Sequence, residues 1–141
     1  MVNLCMEYFN DLMSKGHVEV CHKILSPGVQ HLDMVRNEGR YGIPEYQRFV
    51  RDLKQAYPDI FVRPTSFGVI DDHTMFVAFE GRATSHTPPF KGVDLFCFNH
   101  EATKIREIQV YRSNWLGAEG HEDRKRAAQQ GRQQHQPRMA T

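Results

Sequence analysis

The chain has 141 residues, 40% of them apolar and 25% charged, with a formal net charge of +1. That length suits one domain around a single core, and no apolar run approaches the roughly 20 residues that cross a bilayer. From Ala118 onward five basic residues face three acidic ones, and the rest of the chain holds thirteen against fourteen. A body so close to neutral is not built to grip nucleic-acid phosphates.

The first residues lack the basic-then-apolar order of a secretory signal and the Arg-rich character of a transit peptide. Cys5, Cys21 and Cys97 form no CxxC pair, which fits free thiols in a reducing compartment. A cytoplasmic protein is therefore expected.

Residues 2–15 place Leu4, Cys5, Tyr8, Leu12 and Met13 along one side of a helix, ending at Gly16. A second short helix fits 17–25, closed by Ser26-Pro27-Gly28. Val29 to Met34 reads as a strand or extended segment. A third helix runs from Gly42 to Asp59, with Tyr46, Phe49, Val50, Leu53 and Tyr57 on its apolar face, Pro44 in the first turn and Pro58 as its stop.

From Ile60 the period changes to about two. Strands are expected over Ile60–Ile70, Met75–His86, Val93–Phe98 and Lys104–Trp115, with a loop over Thr87–Gly92. In the second of these, Met75, Val77, Phe79 and Gly81 share a face. Helices followed by a meander, with no βαβ unit, imply an α+β domain: three N-terminal helices packed on a curved antiparallel sheet. Residues 1–117 form this domain. Residues 118–141 are nearly all polar and read as a disordered tail, in which Arg124-Lys125-Arg126 reads as solvated charge.

Several phrases in the second half carry a resemblance. Ala56-Tyr57-Pro58-Asp59-Ile60, Phe79-Glu80-Gly81-Arg82-Ala83-Thr84 with Pro89-Phe90-Lys91-Gly92, Gly92-Val93-Asp94-Leu95-Phe96-Cys97-Phe98 and Lys104-Ile105-Arg106-Glu107-Ile108-Gln109-Val110-Tyr111 follow in that order. Together they resemble the SnoaL-like (polyketide cyclase-like) branch of the nuclear transport factor 2-like superfamily, over residues 1–116. The resemblance implies a cone-shaped fold around an apolar pocket. It also implies a homodimer, since many members pair across the exposed sheet face. The superfamily holds cyclases, isomerases, a dehydratase and an epoxide hydrolase beside non-catalytic modules, so function must come from residues.

Asp33 and Asp94 are similar in place to the general base and the protonated oxyanion donor of ketosteroid isomerase, an arrangement known from that enzyme. Chemically, a carboxylate can remove a proton beside a carbonyl while a neutral acid stabilises the enolate oxygen. Each acid reads equally well as structural, Asp94 holding its strand and Asp33 lying in a solvated loop. His31 shares a face with Asp33 and suits a proton relay, an orienting group or a wall residue. The oxyanion tyrosine corresponds to Tyr8, or its position to Phe9, depending on register. SnoaL-like cyclases often carry an acid in the last strand, where this chain has Ser113 beside Asn114.

Phe49, Phe79, Phe96, Tyr111 and Trp115 are expected to line the pocket and favour a flat hydrophobic ligand. The histidines show no metal-ligand spacing and no cofactor motif is present, so neither metal nor cofactor is expected. The leading reading is a cofactor-independent cyclase, isomerase or dehydratase acting on a small hydrophobic carbonyl compound. Its rival is a non-catalytic module that binds a hydrophobic ligand or dimerises. An epoxide or ester hydrolase ranks third, with Arg36 and Arg82 as its candidate arginines.

Overall fold

The computed structural model describes residues 1–84 and 86–113. Helix α1 (Val2–Glu7) runs directly into a π-helical segment, Tyr8–Ser14. A 3-10 turn, Val18–Val20, leads into α2 (Cys21–Ile24), followed by β1 (Leu25–Asp33), β2 (Glu38–Tyr41) and α3 (Ile43–Ala56). Strands β3 (Phe61–Asp71), β4 (Thr74–Ala83), β5 (His86–Phe98) and β6 (Ile105–Arg112) complete the domain. The expected tail, Asn114 and Trp115 lie outside the described residues.

All six strands form one unclosed sheet in the order β2-β1-β6-β5-β4-β3. The expected meander is β3 to β6, each pair antiparallel. The sheet as a whole is mixed, which corrects the antiparallel expectation: β1 lies parallel to β6, with His31 opposite Ile108 and Asp33 opposite Val110. The meander leaves one edge of β6 unpaired, and β1 satisfies that edge with its own backbone groups while running the same way.

Three boundaries differ from the sequence reading for identifiable reasons. Ser26-Pro27-Gly28 does not end a helix but lies inside β1, where the β1–β6 register shifts between Leu25 and Gln30. Proline has no N–H to give a ladder, so it sits at the irregularity. Thr87–Gly92 is not a loop but the start of β5, paired with β4 through Gly81–Phe90 and Phe79–Gly92. The β6 pairing of β5 begins only at Gly92, so the missing N–H groups of Pro88 and Pro89 face no second strand. Strand β2 was not foreseen, because Glu38–Tyr41 is short, polar and carries no alternation.

The core lies between the inner sheet face and the helices. Met75, Val77 and Phe79 of β4 are buried as their alternation implies, and Ile43, Tyr46, Val50 and Leu53 form the buried stripe of α3. Cys5 and Cys21 are buried within this core, which pushes their thiols up to about 12 and about 11 and leaves them protonated and unreactive. Among the described residues no helix is long and apolar enough to cross a membrane.

Gly81 has a defined packing role. A Cβ there would stand 1.9 Å from the Phe90 ring. Gly81→Ala is therefore expected to destabilise the domain by about 1–3 kcal/mol through overpacking, seen as a lower urea midpoint. Gly28→Ala, with nothing within 4 Å of the added carbon, serves as the control and should leave the midpoint nearly unchanged.

Candidate active site

Register alone gathers the polar residues. Asp33 of β1 pairs with Val110 of β6, which pairs with Asp94 of β5. Cross-strand partners share a face, so both acids lie in one row on the buried side. His31 lies in the row of Ile108 and Phe96, and Arg112 in the row of Gly92. Here Gly92 admits close packing, since a Cβ would fall 2.6 Å from both the Phe79 ring and the Tyr111 carbonyl oxygen.

These rows open onto a cavity lined by Tyr8, Phe9, Met13, His31, Asp33, Phe49, Val62, Phe79, Phe90, Asp94, Val110 and Arg112. Its volume is about 30 Å³. That is room for little more than water.

Asp94 is 3% exposed, and its Oδ1 has no hydrogen-bond partner among the described residues. Burial, reinforced by the Asp33 charge, holds its pKa well above the usual carboxylate range. It therefore keeps its proton to higher pH than an exposed carboxyl does.

Asp33 is shifted the opposite way. Its Oδ2 accepts from Arg112 Nη2 at 2.6 Å and Nε at 3.1 Å, while Oδ1 accepts the backbone N–H groups of Val35 and Arg36 at 3.0 Å each. Burial would raise its pKa, but the Arg112 and backbone hydrogen bonds outweigh it and bring the carboxyl below its ordinary value. A carboxylate has about four acceptor sites, and all are engaged. Asp33 thus stands where the general base was expected, as an ionised and saturated carboxylate that closes the β1–β2 turn and holds Arg112.

His31 is buried, and burial together with the Arg40 charge pushes its pKa down to about 3. It is a neutral imidazole packed against Tyr46 and Phe49, each with ring centroids 5.1 Å away. Tyr8 is buried on the π-helical segment and accepts a 2.6 Å hydrogen bond from the Tyr46 hydroxyl. Phe9, the alternative register, lines the cavity beside it.

Phe49 and Phe79 line the cavity. Phe96 lies behind it, edge-on to Tyr8 at 5.2 Å and to Phe9 at 5.9 Å. Tyr111 is 45% exposed on the outer face beside Val93, away from the cavity. Ser113 brackets Lys91, accepting its N–H at 3.0 Å and donating to its carbonyl at 3.1 Å, so it ties β6 to β5. Arg36 reaches Glu38, and Arg82 reaches Glu80. The arginine of the site is Arg112, which the sequence reading missed. Its signal was the period: Ile108, Val110 and Arg112 continue one inward row, and an inward arginine needs a carboxylate partner. No group of three or more metal-ligating side chains gathers among the described residues.

No family model and no curated protein matches the sequence. Solved structures do match. A candidate SnoaL-like polyketide cyclase from Jannaschia sp. CCS1 superposes with a TM-score of 0.68 at 15% identity, over 79% of this chain and 84% of that one. A candidate ketosteroid isomerase from Kribbella flavida DSM 17836 gives 0.65 at 18% identity, over 80% and 77%. An NTF2-like protein of unknown function from Cytophaga hutchinsonii gives 0.63 at 11% identity, over 79% and 88%. The chain has the SnoaL-like, NTF2-like fold. At such identities the likeness is one of fold.

The two carboxyls make opposite contributions to stability against pH. The lowered pKa of Asp33 stabilises the fold above the ordinary carboxyl range, a contribution lost as pH falls through its folded value. The raised pKa of Asp94 favours the fold at low pH, and that contribution is lost as pH rises from about 4 towards its folded value. Asp94→Asn is therefore expected to gain stability relative to the parent between pH 4 and 7 in parallel urea titrations. Asp33→Asn, which takes the carboxylate charge away from a buried guanidinium, should lose about 3–5 kcal/mol at pH 7.

Proposed function

We propose that the protein is a cofactor-independent enzyme of cyclase or isomerase type that moves a proton on a small hydrophobic carbonyl compound. The observation that carries this reading is the buried Asp94 carboxyl, whose Oδ1 finds no partner among the described residues and whose side chain lines the cavity. A substrate oxygen is the partner it lacks. Asp94 hands its proton to the carbonyl oxygen, and the resulting desolvated carboxylate is basic enough to take a proton from the adjacent carbon. The acid form of Asp94 is restored and the carbonyl compound leaves as its enol.

Tyr8 donates a second hydrogen bond to the same oxygen, and the fixed Arg112–Asp33 pair steadies the charge as it moves. The proton transfer expected to be shared between Asp33 and Asp94 thus falls to Asp94, because the acceptor sites of Asp33 are taken. A ligand larger than the present space enters by displacing wall side chains such as Phe49, Phe79 and Phe90. The free cysteines suit a cytoplasmic setting.

Exchange of α-protons for deuterium in a panel of hydrophobic aryl ketones, followed by NMR in heavy water, tests the chemistry. Asp94→Asn should slow exchange by roughly 10²–10⁴-fold while circular dichroism stays unchanged. Undiminished exchange in that variant ends the reading.

A non-catalytic module that binds a hydrophobic ligand or dimerises is the second reading, and the outer sheet face favours it. Phe76, Val93 and Tyr111 lie on one face of β4, β5 and β6 and are 37%, 37% and 45% exposed. An apolar patch of that kind suits pairing with a second copy. Sedimentation velocity should then report a homodimer, whereas a monomer at the highest attainable concentration defeats that expectation.

A further inference from the structure

His31 and Arg40 lie opposite each other in the β1–β2 ladder. Arg40 Nη1 stands 3.3 Å from His31 Nδ1, and its guanidinium carbon lies 4.1 Å from the Phe49 ring centroid. A guanidinium only donates hydrogen bonds. A nitrogen facing it as a partner must accept, so Nδ1 is unprotonated and the single proton of the neutral ring sits on Nε2.

We propose that Arg40 is a positioning residue that fixes His31 as its Nε2–H tautomer, making His31 a hydrogen-bond donor to the ligand rather than a base. This rests on the cavity being a ligand site, and it deepens that reading by naming what the ligand must present. With Asp33 saturated and Nδ1 accepting from Arg40, the acceptors at this end of the polar wall are engaged. The group left there to meet a ligand is the Nε2–H donor of His31. The site accordingly takes a ligand that presents an acceptor oxygen to His31 besides the oxygen at Asp94, and disfavours one that presents a hydroxyl or amine donor to His31.

Among the described residues, the charged and titratable groups around His31 favour a neutral ring on balance. Arg40 on β2 and Arg112 on β6 both disfavour its protonation, Asp33 on β1 favours it but is already paired with Arg112, and Tyr46 of α3 contributes a neutral ring. The Phe49 contact holds the guanidinium in place through cation–π attraction.

Long-range proton–nitrogen NMR of the full chain labelled with 15N-histidine reads the tautomer directly, His31 being assigned by loss of its signals in His31→Gln. The parent protein should give one pyridine-like Nδ1 and one protonated Nε2, unchanged from pH 5 to 8. Arg40→Met keeps the aliphatic contact and removes the donor. Its His31 should populate both tautomers, with a protonation midpoint raised by about one pH unit or more. Arg40→Lys, which again offers only donors, should restore the parent spectrum and carries the test if Arg40→Met fails to fold. A protonated Nδ1 in the parent, or an unchanged spectrum in folded Arg40→Met, overturns the assignment. The readout needs no substrate, so loss of the Asp94 chemistry would leave it standing, and its own failure would leave Asp94 untouched.

Discussion

The site is organised around the buried Asp33–Arg112 ion pair. Its side chains are 3% and 6% exposed, and it joins the end of β1 to the end of β6 at 2.6 Å. Two charges withdrawn from water this far are tolerable only when each is paired and hydrogen-bonded, and the Asp33 oxygens meet that demand through Arg112 and the N–H groups of Val35 and Arg36. One carboxylate therefore closes the turn into β2, anchors the parallel β1–β6 junction and keeps a guanidinium at the cavity wall.

The same pair decides the chemistry of its neighbours. Arg112 is paired with Asp33, and burial, reinforced by the Asp33 charge, raises the pKa of Asp94. Two carboxyls in one row of the sheet thus have pKa values moved in opposite directions because their surroundings differ: four hydrogen bonds for one, burial with an Oδ1 unpartnered among the described residues for the other. His31, one pleat away from Asp33, stays neutral for a third reason, burial beside two arginines.

The aromatic residues set the shape in which this happens. Phe96 backs Tyr8 and Phe9, and Tyr46 reaches across from α3 to the Tyr8 hydroxyl. A wall made this way leaves space for little more than water, so any ligand competes with close-packed rings for its place.

Much of the architecture is present in local pattern. The period of α3, the inward row Met75, Val77, Phe79 and Gly81, and the row that carries His31 and Asp33 were readable because each depends on neighbours within one element. The same holds for Asp94 in β5, the Phe49 and Phe79 walls and the SnoaL-like order of elements. What sequence could not settle was pairing across distance. Arg112 and Asp33 are 79 positions apart, and neither says alone that the other will meet it. The parallel junction of β1 with β6, the saturation of Asp33, the raised pKa of Asp94 and the placing of Tyr111 on the outer face all follow from which strands lie side by side. Periodicity is a property of one segment, whereas a protonation state or a hydrogen-bond partner is a property of what the fold brings against it.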